Sequence, residues 1–115
     1  MIETTENQER LEQFKNQSDL ALIGFVALKW NSVSRVVDAI FSTLDKYPET
    51  MNIKSLIVDI SNNKKLAIDN KIGPVPTIRV YNQGILLLDL QYLPIPQVLK
   101  EKLVILQEQC YSRSS

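Results

Sequence analysis

Apolar residues fall along this chain in long uninterrupted runs and in helical stripes. Residues 20–28 (LALIGFVAL) and 53–60 (IKSLIVDI) are nearly continuous apolar runs. Runs of that length without polar alternation predict strands covered on both faces. Two more segments, 77–81 (TIRVY) and 85–90 (ILLLDL), flank Asn82-Gln83-Gly84. A short polar link ending in glycine between two such runs predicts a hairpin. Val33, Val36, Val37, Ile40, Phe41 and Leu44 recur at the spacing of one helical face, so a helix is predicted over about 32–46. Asn31 or Ser32 suits its cap, because either side chain accepts from a free backbone N–H, and Pro48 helps end it. A second stripe, Leu99, Leu103, Leu106 and Cys110, predicts a helix over about 96–109, with Pro96 in the first turn. Weaker patterns predict a peripheral helix over 5–15, on Leu11 and Phe14, and a short polar one over 62–70.

Helix and strand therefore alternate, and the order ends in a hairpin and a helix. An α/β fold follows, with a mixed central sheet of about four strands and helices on both faces. The first two long strands should run parallel through a right-handed crossover, and the hairpin antiparallel. As a bare edge, the apolar run 85–90 would invite pairing with another chain. One domain over 1–115 is expected, with its core at about 20–106.

Composition narrows the function classes. Thirteen basic and thirteen acidic residues cancel. The basic excess that neutralises phosphates is missing, so no direct nucleic-acid partner is expected. No stretch approaches the roughly 18 apolar residues of a membrane span. Residues 1–15 are polar and acidic and lack the pattern of a signal peptide, which leads to the expectation of a cytoplasmic protein. The chain has one cysteine, Cys110, and no histidine. An internal disulfide, a Cys/His zinc site and a His-based nucleophile are excluded, and no cofactor is expected.

Four local features carry a resemblance to the thioredoxin family over about 20–106. Trp30 stands between the first long strand and a helix. Val58-Asp59-Ile60 is similar to the family's Val-Asp-Val. Val75-Pro76-Thr77 resembles its Ile-Pro-Thr, whose proline is cis, and Tyr81-Asn82-Gln83-Gly84 resembles its Phe-Lys-Asn-Gly turn. The resemblance implies a thioredoxin-like fold, in whose sheet helices cover both faces of the hairpin, which explains the apolar residues of 85–90. It also implies where redox chemistry would sit, at Trp-Cys-Gly-Pro-Cys, where a helix N-terminus stabilises a thiolate. Here that stretch reads Trp30-Asn31-Ser32-Val33-Ser34. Asn31 cannot ionise, and Ser34 is a far weaker nucleophile without a base. By spacing, the buried Asp of active thioredoxins falls on Phe25 and its neighbouring Lys on Ile57. Burying an unpaired charge is costly, so apolar replacements fit a chain that no longer needs those groups.

The resemblance thus implies a redox-inactive interaction module that docks a protein or peptide near the former active-site face. Trp30, Asn31, Ser32, Val33, Ser34, Val75, Pro76, Thr77 and Tyr92 are its candidate residues. In the family the residue before the cis-proline pairs its backbone with an extended peptide, here Val75. Tyr92 stands where a groove-lining glycine is usual, either narrowing the groove or offering an aromatic anchor. Capping is the expected role of Asn31, Ser32 and Ser34, ahead of anion binding. Cys110 reads as an apolar filler, with a monothiol redox role as the alternative. The chain is also similar to the spliceosomal thioredoxin-like family at 56–61 and 85–90, without its Asp-Pro-Thr-Cys stretch. A homodimer stays open.

Overall fold

A computed structural model describes residues 2–17 and 19–114. In chain order it runs β1 (Ile2–Thr5), α1 (Gln8–Lys15), β2 (Leu20–Val26), α2 (Val36–Leu44), β3 (Lys54–Asp59), α3 (Lys64–Asp69), β4 (Thr77–Asn82), β5 (Ile85–Leu90) and α4 (Pro96–Ser114). A single 3-10 turn, Ser32–Arg35, leads into α2. The five strands form one mixed sheet in the order β1-β3-β2-β4-β5. β3 runs parallel to both β1 and β2, while β4 is antiparallel to β2 and β5.

The period-2 alternation of a strand sorts β2 between two cores. Leu20, Leu22 and Val26 join Val37, Ile40, Phe41 and Leu44 of α2 and Leu99 and Leu103 of α4. Ala21, Ile23 and Phe25 join Leu11 and Phe14 of α1 and Leu66 of α3. Helices therefore cover both sides; the stripe predicted for α4 faces the first core, as do Val37, Ile40, Phe41 and Leu44 of the α2 stripe, whereas Val33 and Val36 of that stripe are exposed. Gly24 is where α2 crosses β2 most closely. A Cβ there would lie 2.6 Å from Val37 Cγ1 and 3.2 Å from the Phe41 ring.

Three expectations change. The N-terminal helix begins at Gln8, not at residue 5, because Asn7 caps it: its side-chain oxygen accepts from the Arg10 N–H at 3.1 Å. The β-branched Ile2, Thr4 and Thr5 ahead of it pair with Ser55 to Val58 and add a fifth strand. Glu3 then holds Arg10 through two charged hydrogen bonds, 2.5 and 2.6 Å. The expected helix over 32–46 starts as the 3-10 turn and ends at Leu44, whose carbonyl accepts the buried Thr50 hydroxyl at 2.7 Å. Lastly, helices do not cover the hairpin on both faces. β5 is the outer strand, and Ile85 and Leu86 are 61 % and 45 % exposed. Helices α1 and α3 pack on the side of the sheet that Leu86 shares with Tyr81, but they do not reach the outermost strand.

Candidate functional site

Strand directions bring one set of loops to one end of the sheet. Phe25 and Val26 pair with Val58 and Asp59, Phe25 pairs with Thr77, and Ile78 pairs with Leu90. The segments after β2, after β3, before β4 and after β5 therefore meet there. In α/β sheets, binding sites gather beyond the carboxyl ends of the parallel strands. Trp30 to Ser34, the Val75–Pro76 bond and Tyr92 all belong to this end. The Val75–Pro76 peptide bond is cis, as the resemblance implies.

Asn31 and Ser34 join the loops by hydrogen bonds. The Asn31 Nδ2 donates to the Val75 carbonyl at 3.0 Å, and its Oδ1 accepts from the Ser34 N–H at 3.2 Å. The Ser34 Oγ accepts from the Ala27 N–H at 3.1 Å, and the Asn31 N–H donates to the Ala27 carbonyl at 2.9 Å. A closed set of contacts thus ties the end of β2, the 3-10 turn and the cis-proline loop together. Both side chains act as caps and clasps, and Ser34 is only 1 % exposed. Ser32 and Val33 are exposed, Val75 is half-buried, and Pro76 and Thr77 are buried. The Thr77 hydroxyl closes the loop by donating to the Pro74 carbonyl at 2.7 Å.

Two large rings stand out from this end. Trp30 is 59 % exposed and Tyr92 54 %. Tyr92 lies two residues past Leu90, the last residue of β5 and the partner of Ile78 near the start of β4. The ring is displayed and not packed inward. Val33, Val36 and Ile95 are also exposed.

Asp59, the middle of Val58-Asp59-Ile60, is buried below this surface. Its Oδ1 accepts from the Ser61 hydroxyl (2.6 Å), the Ser61 N–H (3.0 Å) and the Leu28 N–H (3.2 Å). Burial pushes its pKa up. The Ser61 and Leu28 donors and the nearby Lys29 charge outweigh that, so the net shift is downward.

One assignment made by spacing does not hold. Phe25 and Ile57 lie in different cores, on opposite sides of the sheet. Neighbours on adjacent strands must share a face, and the residue paired with Ile57 is Gly24, which abuts α2. Counting back from Trp30 is one residue off because of the turn between Val26 and Trp30. The position behind the helix start thus carries no side chain at all.

Sequence reasoning also missed Arg79. This arginine is 7 % exposed, with its guanidinium 5.6 Å from the centre of the Phe25 ring. Nη1 donates to the Asn70 carbonyl (2.8 Å) and the Tyr81 hydroxyl (3.1 Å), and Nη2 to the Lys71 carbonyl (3.2 Å). Nε reaches Asp89 at 3.4 Å. Arg79 thereby holds the start of the loop that leads to Pro76. Cys110 is half-buried against the α2 and α4 core. It lies fourteen residues from Pro96 along α4, about 20 Å at 1.5 Å per residue. Among the described residues there is no cluster of three or more His, Cys, Asp or Glu suited to a metal, and no helix is long and apolar enough to cross a membrane.

No protein-family model matches the chain, and no curated protein does. Solved structures do. A mutant thioredoxin from Halobacterium salinarum superposes with a TM-score of 0.78 at 19 % identity, over 92 % of this chain and 90 % of that one. The thioredoxin of Trypanosoma brucei brucei gives 0.75 at 18 %, over 92 % and 90 %. The oxidised thioredoxin of Plasmodium falciparum gives 0.74 at 17 %, over 93 % and 99 %. Identity this low carries the architecture alone. The protein has a thioredoxin-like fold, a five-stranded mixed sheet with four helices among the described residues, and a single cysteine with no Cys-x-x-Cys pair.

Proposed function

We propose that this protein is a redox-inactive docking module that binds a partner protein or peptide at the Trp30 and Tyr92 end of its sheet, without turnover. The observation that supports it best is the use made of Asn31 and Ser34. At the two positions that the resemblance gives to cysteines, both side chains are engaged by backbone groups of Ala27, Ser34 and Val75. What is left for a partner is exposed apolar surface, chiefly Trp30, Val33 and Tyr92. Trp and Tyr give large contact area and dominate binding hot spots. The Val75 carbonyl already accepts from Asn31. Docking therefore relies on side chains more than on strand addition to the cis-proline loop. A cytoplasmic setting and independence from any cofactor belong to this reading. A monothiol role for Cys110 is disfavoured by its place, about 20 Å along α4 from the Pro96 end.

Affinity capture from native extract with mass spectrometry tests the proposal, using wild type, Trp30→Ala, Tyr92→Ala and Met51→Ala. Met51 is exposed but precedes β3, at the opposite end of the sheet. The same partner should be lost from both aromatic variants and kept by Met51→Ala. Equal capture by all four proteins, or catalysed insulin reduction by the wild type, would overturn it.

A further inference from the structure

The charges of this neutral chain are unevenly placed. Five connections meet at the Trp30 and Tyr92 end of the sheet. Four of them, 27–35, 60–63, 70–76 and 91–95, carry Lys29, Arg35 and Lys71 and no Asp or Glu. Lys64 and Lys65 open α3 directly after the second. The fifth connection, 6–7, adds Glu6, which accepts from the Asn62 Nδ2 at 3.0 Å. All five cations are exposed. Among the described residues the ion pairs go to other cations, Arg10, Lys15, Arg79 and Lys100. Lys29 Nζ donates to the neutral Asn62 Oδ1 at 2.8 Å. Asp59 is buried and held by Ser61 and Leu28, and the acids Glu9, Asp38 and Asp69 lie within α1, α2 and α3. The loop surface that a partner would touch is therefore cationic.

Apolar surface sits inside this cationic rim. Trp30 lies between Lys29 and Arg35 along the first connection, with Val33 exposed close by, and Tyr92 and Ile95 stand out of the last. An apolar centre with a charged rim is the anatomy of a protein–protein contact. Rim charges add little affinity, but they steer encounter and reject partners of like charge.

Resting on the docking reading above, we infer the chemistry of the partner: an acidic segment in which Asp or Glu flanks one or two large apolar side chains. The apolar side chains meet Trp30 and Tyr92, and the carboxylates face Lys29, Arg35 and the lysines beyond. Charge complementarity selects this occupant over a basic or a neutral segment. A nucleic acid would also meet cations here, but Val33 and Ile95 give phosphate no donor and a base no ring to stack on.

A displayed library of random short peptides tests the inference, panned against the full chain and against a Trp30→Ala/Tyr92→Ala double variant. Peptides enriched on wild type alone should be rich in Asp and Glu around Leu, Ile or Phe. Trp30 is the only tryptophan, so its fluorescence follows a titration with an enriched, tryptophan-free peptide in synthetic form. Binding should weaken as sodium chloride is raised, because the Debye length shrinks. Arg35→Glu, and the pair Lys64→Glu/Lys65→Glu, should each raise the dissociation constant about threefold or more. Lys46→Glu should leave it unchanged, since Lys46 follows α2 at the opposite end of the sheet. Enriched peptides that need both rings but are neutral or basic would sink the acidic partner and leave the docking end standing. No enrichment, or equal binding to the double variant, would overturn both. Affinity indifferent to salt and to all the charge reversals counts against the inference, as does tighter binding of oligouridylate than of any enriched peptide.

Discussion

At position 31 an asparagine does what neither a cysteine nor a serine could. Its oxygen caps the 3-10 turn through the Ser34 N–H while its nitrogen donates to the Val75 carbonyl on the cis-proline loop. The two roles separate under substitution. Asn31→Ala loses both and should destabilise the fold by about 2 kcal/mol, roughly one from the cap and one from the cross-loop bond. Asn31→Asp keeps an acceptor for the cap but sets a carboxylate against the Val75 carbonyl. It should free the cis-proline loop, read as faster hydrogen exchange at Gly73 and Val75, the two residues of 73–76 that carry an amide N–H, with denaturant stability set by that loss alone. Equal loop protection in wild type and Asn31→Asp would mean that the clasp does not hold the loop. Asp59 predicts a pH effect at the same scale. Its folded pKa lies below the unfolded value near 3.8, because three hydrogen bonds and Lys29 together outweigh its burial. A depressed carboxyl stabilises the fold above the unfolded value, and loses that contribution as pH falls through the folded one. The stability gap between wild type and Asp59→Asn, measured by denaturant melts, should therefore be full near neutrality and shrink below about pH 3.8. A gap that persists unchanged below pH 2 would count against it.

Between elements, the tightest constraint is the crossing of α2 over β2 at Gly24. A Cβ there meets Val37, whose branched side chain has little freedom, and the Phe41 ring. Gly24→Ala should cost about 1–3 kcal/mol by overpacking. Adding Val37→Ala should recover part of that cost, a coupling that a double-mutant cycle reads directly. Additive losses would place the strain elsewhere. The same crossing shows how far the sequence could be read. The apolar runs and stripes located β2 to β5, α2 and α4, since burial on a fixed period leaves its mark in one dimension. β1 left almost none: Ile2 is its one large apolar residue, and its partner is over fifty residues away. Phe25 was misassigned by a single residue, and in a strand one residue is the difference between the two faces. The clasp at Asn31 was legible as a cap, but its reach to Val75 depends on how two distant loops meet.

Across the whole molecule, Arg79 links the far side of the sheet to the cis-proline loop. A plain hairpin closed by Asn82 and Ile85 would set Arg79 opposite Leu88; the extra residue at the bulge brings Asp89 there instead. The register shift thus gives a buried cation its counter-ion, and the carbonyls of Asn70 and Lys71 complete the site. Nothing in the alternation of Thr77 to Tyr81 announces this, because an arginine between two buried aliphatics reads as a solvent-facing position. Arg79→Met keeps much of the apolar stem over Phe25 but removes every donor. It should cost about 3 kcal/mol or more, because Asp89 and two carbonyls lose their partner together. The loss should also be directional. Exchange of amides over 70–76 should rise more than exchange of β2 or β3 amides, since those carbonyls anchor the segment that carries Val75 to the site. Arg79→Lys restores a charge but not a planar fork, and should recover the ion pair with Asp89 without the loop protection. If the lysine variant protected 70–76 as well as wild type does, the charge alone would be holding the loop, and the guanidinium geometry would have no part in shaping the docking end.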